Sequence, residues 1–192
     1  MARSLTSYLN FFWAGVFKQG QTGAIVPSQR FLIDKMIEPV PETYRGQIVE
    51  LGAGIGALTL RLAAKRPAAR ILACEINPTL ASDNRRSLRA AGLDGRVAVV
   101  SDSAEHLLSE MRRRAEERPE YIISGIPLGN FGRAKAQAII DEVSRTLDGG
   151  GTYIQYQHSL LDRKKIQARF PNLRTVPVLL NFPPAVIYYA RR

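Results

Sequence analysis

Short apolar segments alternate with helix-length segments along most of the chain, and this alternation restricts the fold more than any other feature. The strand-like segments cover residues 47–51, 69–77, 95–103, 120–130 and 151–159. The helical segments cover residues 57–67, 78–93, 104–119 and 133–151. Strands that alternate with helices of this length predict an α/β fold with a parallel sheet and right-handed crossovers.

The end of the chain departs from this alternation. After a basic helix near residues 160–170, residues 175–182 and 185–192 are both strand-like, and only Pro183 and Pro184 separate them. So short a connection predicts a hairpin, which adds an antiparallel strand to the sheet. We therefore expect one α/β domain over residues 21–192 with a seven-stranded sheet, preceded by an amphipathic helical extension over residues 1–20.

Length, cysteine content and charge limit the compartment and the partners. A chain of 192 residues suits one domain with its own core. Cys74 is the single cysteine, so we expect a cytoplasmic protein without a disulfide, and we expect no metal cofactor. The net charge of +10 favours a polyanionic partner, either a nucleic acid or an anionic membrane surface.

A glycine turn follows the first strand of the alternating region. Gly52, Gly54 and Gly56 let the backbone turn tightly and approach a ligand, and Glu75 ends the next strand. A carboxylate at that point can accept hydrogen bonds from the hydroxyls of a ribose. Spacing alone leaves a dinucleotide open, because Gly52, Gly54 and Ala57 also satisfy the dinucleotide-binding pattern G-x-G-x-x-G/A.

Two further carboxylates favour S-adenosyl-L-methionine (SAM) over a dinucleotide. Glu50 precedes the glycines, where it can hold an ammonium group, and Asp102 ends the third strand, where it can accept from an adenine amino group. Over residues 46–190 the pattern resembles the class I SAM-dependent methyltransferases, which implies a Rossmann-like sheet with one antiparallel strand and SAM as cofactor. The residues expected to contact SAM are Thr22, Gly23, Ser28, Glu50, Gly52, Gly54, Gly56, Glu75, Asp102, Ser103, Ala104 and Ser124.

Three separated motifs indicate a particular family within the class I methyltransferases. The stretches QTGAIVPS, SGIPL and NFPPAVIYY resemble the bacterial phospholipid N-methyltransferases, which convert phosphatidylethanolamine stepwise towards phosphatidylcholine. The resemblance implies a cytoplasmic enzyme, peripheral on the inner face of the membrane, whose substrate is a phospholipid. Relatives that act on other amino lipids, such as ornithine lipids, would share these motifs.

The rRNA adenine dimethylases are the main alternative. They are distantly similar, but they place an Asn and an aromatic residue where this chain has Ser124 and Leu128. The aromatic residue would stack on an extruded adenine, so its absence makes a nucleic-acid substrate the less favoured prediction. A catalytically inactive SAM-fold protein that binds membranes is a third alternative, and the retained acids and glycines count against it.

An amine acceptor has to lose a proton before or during methylation, because an alkylammonium is mostly protonated at pH 7. Tyr156 lies within the fifth strand and His158 follows it, both near the expected acceptor, and we predict that they assist this step. Packing or surface roles are the alternative for both. Trp13, Phe131 and Tyr153 are possible aromatic walls for a cationic headgroup, with core packing as the alternative for each.

Two segments have the composition of membrane contacts. The first is the segment over residues 1–20, whose apolar residues recur at i, i+3, i+4, i+7 and i+8 when placed on a helix. The second is the basic segment near residues 160–170, where Arg163, Lys164 and Lys165 place positive charge beside apolar residues. The alternative for the first segment is that its helix docks on the domain itself. The alternative for the second is a basic face that is only solvated. The residues expected to contact an anionic membrane are Leu5, Tyr8, Leu9, Phe12, Trp13, Arg163, Lys164 and Lys165.

Overall fold

The computed structural model describes residues 27–114, 118–179 and 184–192. The predicted amphipathic helix over residues 1–20 lies outside these ranges, as do Thr22 and Gly23, so they remain sequence predictions. Ser28 falls in a described helix, but its side chain is not among the described groups.

Seven strands and six α-helices form the described part of the chain. The strands are β1 (Gln47–Leu51), β2 (Arg70–Glu75), β3 (Val97–Ser101), β4 (Tyr121–Ser124), β5 (Thr152–Gln157), β6 (Asn172–Val178) and β7 (Ala185–Arg191). The helices are α1 (Pro27–Ile37), α2 (Ala57–Lys65), α3 (Pro78–Ala90), α4 (Ala104–Arg113), α5 (Arg133–Thr146) and α6 (Arg163–Gln167), with a 3₁₀ turn at Leu128–Asn130.

The strands form one sheet in the order β3-β2-β1-β4-β5-β7-β6. Strands β1 to β5 are parallel, and β7 runs antiparallel to both of its neighbours, β5 and β6. The predicted seven-stranded sheet with one reversed strand is therefore confirmed. The strand order reverses between β1 and β4, and in open α/β sheets a crevice for ligands lies at the carboxyl ends of the strands at such a point.

Helices cover both faces of the sheet, so the strands are buried on both sides. Ile48 and Ile123 face the core that includes α1, α2 and α3, whereas Val49 and Ile122 face the core that includes α4 and α5. Because side chains alternate between the faces of a strand, neighbouring residues of one strand contribute to different cores. This alternation decides which side chains at the strand ends reach a given site.

Helix α1 was not predicted from the sequence, although residues 32, 33, 36 and 37 are all apolar and follow a helical spacing. All four side chains are buried in the core beneath α1. The Asp34 carboxylate accepts two hydrogen bonds from Arg61 of α2 at 2.7 Å each, and Tyr189 of β7 donates to the Lys35 carbonyl at 2.6 Å. These contacts fix α1 over the sheet.

The basic segment near residues 160–170 contains a shorter helix than expected, because α6 has only five residues. Ile166 and Phe170 are fully buried, whereas Leu160 and Leu161 are exposed. The apolar residues of this segment therefore divide between the core and the surface. In the described part of the chain, none of the helices combines the length and the apolar character required to cross a bilayer.

Candidate active site

A cavity of about 500 Å³ lies along the carboxyl ends of the parallel strands. Its wall includes Glu50 of β1, the last two residues of β2, and the loops that follow these two strands. The turn after β3, the loop after β4, and Tyr156 near the end of β5 complete the strand side of the wall. Helix α1 closes one side through Leu32, Ile33 and Met36. A concave site of this size with a few convergent polar groups is typical of cofactor and substrate binding.

The glycine turn forms the part of the wall that follows β1. Gly52 and Gly54, which are predicted to contact SAM, line the cavity, whereas Gly56 lies outside its described wall and precedes α2. Gly56 has a φ of 86°, and a Cβ there would lie 2.3 Å from Oδ1 of Asn84. The turn therefore requires glycine at position 56 for its backbone shape and its close contact with α3.

Glu50 places a buried carboxylate in the cavity wall. Its side chain is fully buried, and neither carboxylate oxygen has a hydrogen-bond partner among the described residues. Burial raises the pKa of Glu50 from an ordinary 4.5 to about 7; the Thr59 hydroxyl, which is near but does not reach hydrogen-bond geometry, opposes this rise, and the charge of Glu75 adds to it. An unpartnered buried carboxylate is costly unless a ligand pairs with it, so Glu50 fits a cationic group such as the ammonium of SAM.

Glu75 is held rigidly at the end of β2. One carboxylate oxygen accepts a hydrogen bond from the Gly54 amide at 2.8 Å, and the other accepts from the Asn77 amide at 2.9 Å. These two bonds orient the carboxylate and leave further lone pairs to accept from a ligand. Its position in the cavity wall fits the predicted contact with ribose hydroxyls.

Asp102, Ser103 and Ala104 line the cavity together at the turn between β3 and α4. One oxygen of Asp102 accepts from the Ser103 amide at 2.7 Å, and the other lies 2.6 Å from Nδ1 of His106. The Asp102 carboxylate raises the pKa of His106 above its ordinary value. Asp102, predicted to contact adenine, is therefore already hydrogen-bonded to His106 and to the backbone of its own turn.

The wall after β4 corresponds to the expected acceptor site. It includes Gly125, Ile126, Pro127 and Phe131. Ser124, which was predicted to contact the cofactor, does not line the cavity: it is fully buried, and its hydroxyl accepts from the Ile126 amide at 3.2 Å. The geometry gives Ser124 a role in shaping the loop and does not support a contact with SAM.

Tyr156 and His158 differ in their position. Tyr156 lines the cavity, and burial raises its pKa to about 12, so it is a neutral phenol at physiological pH. His158 is exposed and outside the described cavity wall, with its ring at 5.8 Å from that of Tyr156 and its Nδ1 at 3.0 Å from the Pro184 carbonyl oxygen. Because a carbonyl can only accept, the neutral His158 ring carries its proton on Nδ1 and keeps Nε2 as a possible proton acceptor.

The three aromatic residues that were predicted as possible walls for the headgroup do not lie together. Phe131 lines the cavity, whereas Tyr153 is fully buried in the core on the α4–α5 side and packs against Phe170 at 5.6 Å between ring centroids. Trp13 lies outside the described residues. Of the two described aromatic residues, Phe131 is the one placed where it can contact a ligand.

Sequence reasoning missed the contribution of two helices to the cavity. Gln29, Leu32, Ile33 and Met36 come from α1, and their helical spacing was the signal that could have identified them. Lys135 comes from the first turn of α5 and carries no sequence motif that would have identified it. Both helices reach the cavity only through the packing of the fold.

The comparisons with known proteins agree with this geometry. Residues 48–151 match the family model described as "Methyltransferase domain". The chain is 27% identical over 184 residues to an ornithine lipid N-methyltransferase of Singulisphaera acidiphila, with 94% of each chain covered. It is also 29% identical over 125 residues to ribosomal RNA small subunit methyltransferase C of Salmonella choleraesuis, which covers 64% of this chain but 34% of that protein.

A solved structure supports the fold independently of sequence. The SAM-dependent methyltransferase from Agrobacterium tumefaciens superimposes with a TM-score of 0.69 at 12% sequence identity, over 87% of this chain and 63% of that one. The matched family model, the sheet order and the acids and glycines around the cavity agree with one another. The chain therefore belongs to the methyltransferase domain family and is a SAM-dependent methyltransferase with the Rossmann-like class I fold.

Proposed function

We propose that this protein transfers a methyl group from SAM to the amine of a membrane-lipid headgroup. Phosphatidylethanolamine is the substrate that its sequence motifs favour. Ornithine lipids are the second candidate, and the 27% identical relative, named an ornithine lipid N-methyltransferase, supports testing them in parallel. The two candidates share an amine at the end of a lipid headgroup.

The observation that carries this proposal is an exposed apolar surface at the same edge of the sheet as the cavity. Leu160, Leu161 and Leu179, which we call the leucine tip, are 59%, 80% and 76% exposed. Leu160 and Leu161 follow β5, and Leu179 follows β6 in the terminal hairpin. Leucines exposed to this extent, at the edge of the sheet that also holds the cavity, suit a protein that contacts the apolar phase of a membrane.

Two hydrogen bonds connect the parts of the leucine tip. Nδ1 of His158 contacts the Pro184 carbonyl at 3.0 Å, and the Tyr188 hydroxyl donates to the Ser159 carbonyl at 3.2 Å. The loop after β5 is thereby held against the hairpin that carries Leu179. A lipid bilayer that contacted the leucine tip would lie next to the carboxyl ends of the strands, where the cavity is.

The positive charges near the leucine tip support an anionic bilayer surface. Arg163 and Lys164 are exposed, and their side chains form no ion pair or hydrogen bond within the described ranges. Each basic residue near an anionic membrane contributes ~1 kcal/mol. Lys165, which was predicted to join them, is instead paired at 2.6 Å with the buried Asp162, so we assign it a structural role.

Methyl transfer from a sulfonium needs no protein nucleophile, so the protein has to orient the amine and remove its proton. The Tyr156 hydroxyl in the cavity wall can hydrogen-bond to the amine, but its pKa of about 12 keeps it protonated near pH 7, so it does not accept the proton. We infer that the proton leaves through water, and that Nε2 of His158, which is exposed outside the cavity wall, can receive it from that water.

The proposal is tested by incubating the protein with labelled SAM and vesicles that contain phosphatidylethanolamine, an ornithine lipid and an anionic lipid. Mass spectrometry of the extracted lipids should show mass increases of one or more methyl groups on one of the amino lipids. Unchanged lipids together with methylated ribosomal RNA in a parallel reaction would refute the lipid proposal.

Ribosomal RNA is the alternative to a lipid substrate, because of the partial similarity to ribosomal RNA small subunit methyltransferase C and the net charge of +10. Against it, Leu128 is fully buried and does not line the cavity, so the position after the proline offers no stacking surface for a base. Phe131 is the aromatic residue of this loop that does line the cavity. The exposed leucines have no evident function in binding RNA, which favours the lipid.

A further inference from the structure

The charges on the wall of the cavity are unevenly distributed. Four carboxylates line it, those of Glu50, Glu75, Asp102 and Glu105, whereas Lys135 is the single cation among the lining residues that the structure describes. Glu50 suits the ammonium of SAM, whereas Glu75 and Asp102 suit its ribose hydroxyls and its adenine amino group. Lys135 has the opposite preference and suits an anion.

Lys135 lies at the acceptor end of the cavity. It belongs to the first turn of α5, and its Nζ lies 4.9 Å from the centroid of the Phe131 ring. Phe131, Ile126 and Pro127 form the neighbouring wall after β4. The aromatic face holds the ammonium group at the cavity without neutralising it.

Lys135 has no carboxylate partner within the described ranges, unlike three arginines on or beside α5. Arg112, Arg145 and Arg169 pair with acids of that helix, at distances of 2.5, 3.0 and 2.6 Å. Acids are therefore present on α5, but they are engaged elsewhere. The ammonium of Lys135 remains available to a ligand.

We propose that Lys135 binds the anionic group of the acceptor headgroup and thereby places the amine for methylation. This inference rests on the proposed lipid function. Both candidate headgroups carry an anion a few bonds from the amine: a phosphodiester in phosphatidylethanolamine and the ornithine carboxylate in an ornithine lipid. Lysine binds either as a compact positive charge, and holding one end of the headgroup restricts the orientation of the other.

The test compares the variant K135M with the matched control R133M. Both remove one exposed cation from the first turn of α5, but Arg133 does not line the cavity. For each variant, initial rates are measured with vesicles of phosphatidylethanolamine and, separately, of an ornithine lipid. SAM affinity is measured by calorimetry, and vesicle binding by co-sedimentation. K135R serves as the conservative variant.

We expect K135M to raise KM for the methylated lipid about 10-fold or more, because a charge-assisted contact is lost, while SAM affinity and vesicle binding change less than about twofold. K135R should recover most of the loss, and R133M should behave like the wild type. The lipid whose KM responds identifies the anion as a phosphate or a carboxylate.

Three results would overturn the inference. An unchanged KM in K135M would show that Lys135 does not contact the acceptor. An equal loss of SAM affinity would assign Lys135 to the carboxylate of the cofactor, and an equal loss of vesicle binding would assign it to the membrane surface. If the wild type methylates neither lipid, the proposed function itself fails, which is distinguishable because the K135M comparison then starts from no activity.

Discussion

The buried carboxylate of Glu50 yields a prediction that needs no substrate. Its pKa in the folded protein is about 7 against an ordinary 4.5, because burial penalises the charged form. A pKa that is raised on folding favours the folded state when the group is protonated, so this contribution is present below about pH 4.5 and is lost as the pH rises through about 7. At 1.36 kcal/mol per pH unit, the ionised carboxylate costs about 3 kcal/mol.

The substitution Glu50→Gln should remove this cost, because glutamine has nearly the shape of the protonated acid and no charge. We expect the free energy of unfolding of the variant without SAM to exceed that of the wild type by about 3 kcal/mol at pH 8.5 and to match it near pH 4.5. Urea unfolding followed by circular dichroism measures both values. Glu120→Gln, at an exposed glutamate, is the control. Its free energy of unfolding should change between pH 4.5 and pH 8.5 by the same amount as that of the wild type.

The same substitution should weaken SAM binding. A cation held by Glu50 favours the ionised form, so wild-type affinity should rise with pH up to about 7 and then level off. Loss of this charge-assisted contact should weaken SAM binding of Glu50→Gln about 10- to 100-fold at pH 8 and remove the pH dependence. If the stabilities of the two proteins stay parallel between pH 4.5 and 8.5, Glu50 is not desolvated in the folded protein and the reasoning fails.

Two further predictions concern the membrane. The double reversal R163E/K164E should weaken binding to anionic vesicles about 30-fold or more, as measured by co-sedimentation, because two contributions of ~1 kcal/mol are lost. The reversal R86E/R89E on α3 makes the same change in net charge and should have a smaller effect, and equal effects would show that only the net charge matters. Deletion of residues 1–17 should reduce vesicle binding and lipid methylation while SAM binding is partly retained. A truncated protein that methylates vesicles normally would contradict the role predicted for its aromatic residues.

Local sequence patterns were sufficient to predict the sheet and the line of acids along it. Glu50, Glu75 and Asp102 each lie at or next to the carboxyl end of a parallel strand. In a parallel sheet those ends meet at one edge, so the order of strands and helices in the sequence already brings the three carboxylates together. The terminal hairpin was predictable for a similar reason, because a short proline-containing connection leaves no room for a crossover helix.

The register of the strands decides which side chains at the end of β4 face the cavity, and the sequence motifs do not contain this information. Ser124 pairs with Leu51 in the sheet and faces the core that includes α4 and α5, whereas Glu50 lies opposite Ile123 on the other face. A motif that spans the end of β4 does not state which of its residues faces the cavity. Ser124 was therefore assigned to the cofactor, although its hydroxyl holds the loop after β4.

The sequence by itself determined the fold class and the residues at the strand ends, because hydrophobic periodicity and glycine turns act over a few neighbouring residues. Only the tertiary structure decided which charges are free. Lys165 pairs with the buried Asp162, Lys135 has no carboxylate partner within the described ranges, and the Glu50 carboxylate is buried without a hydrogen-bond partner there. Ionisation and availability depend on burial and on neighbours from distant parts of the chain, and these exist only after the helices have packed onto the sheet.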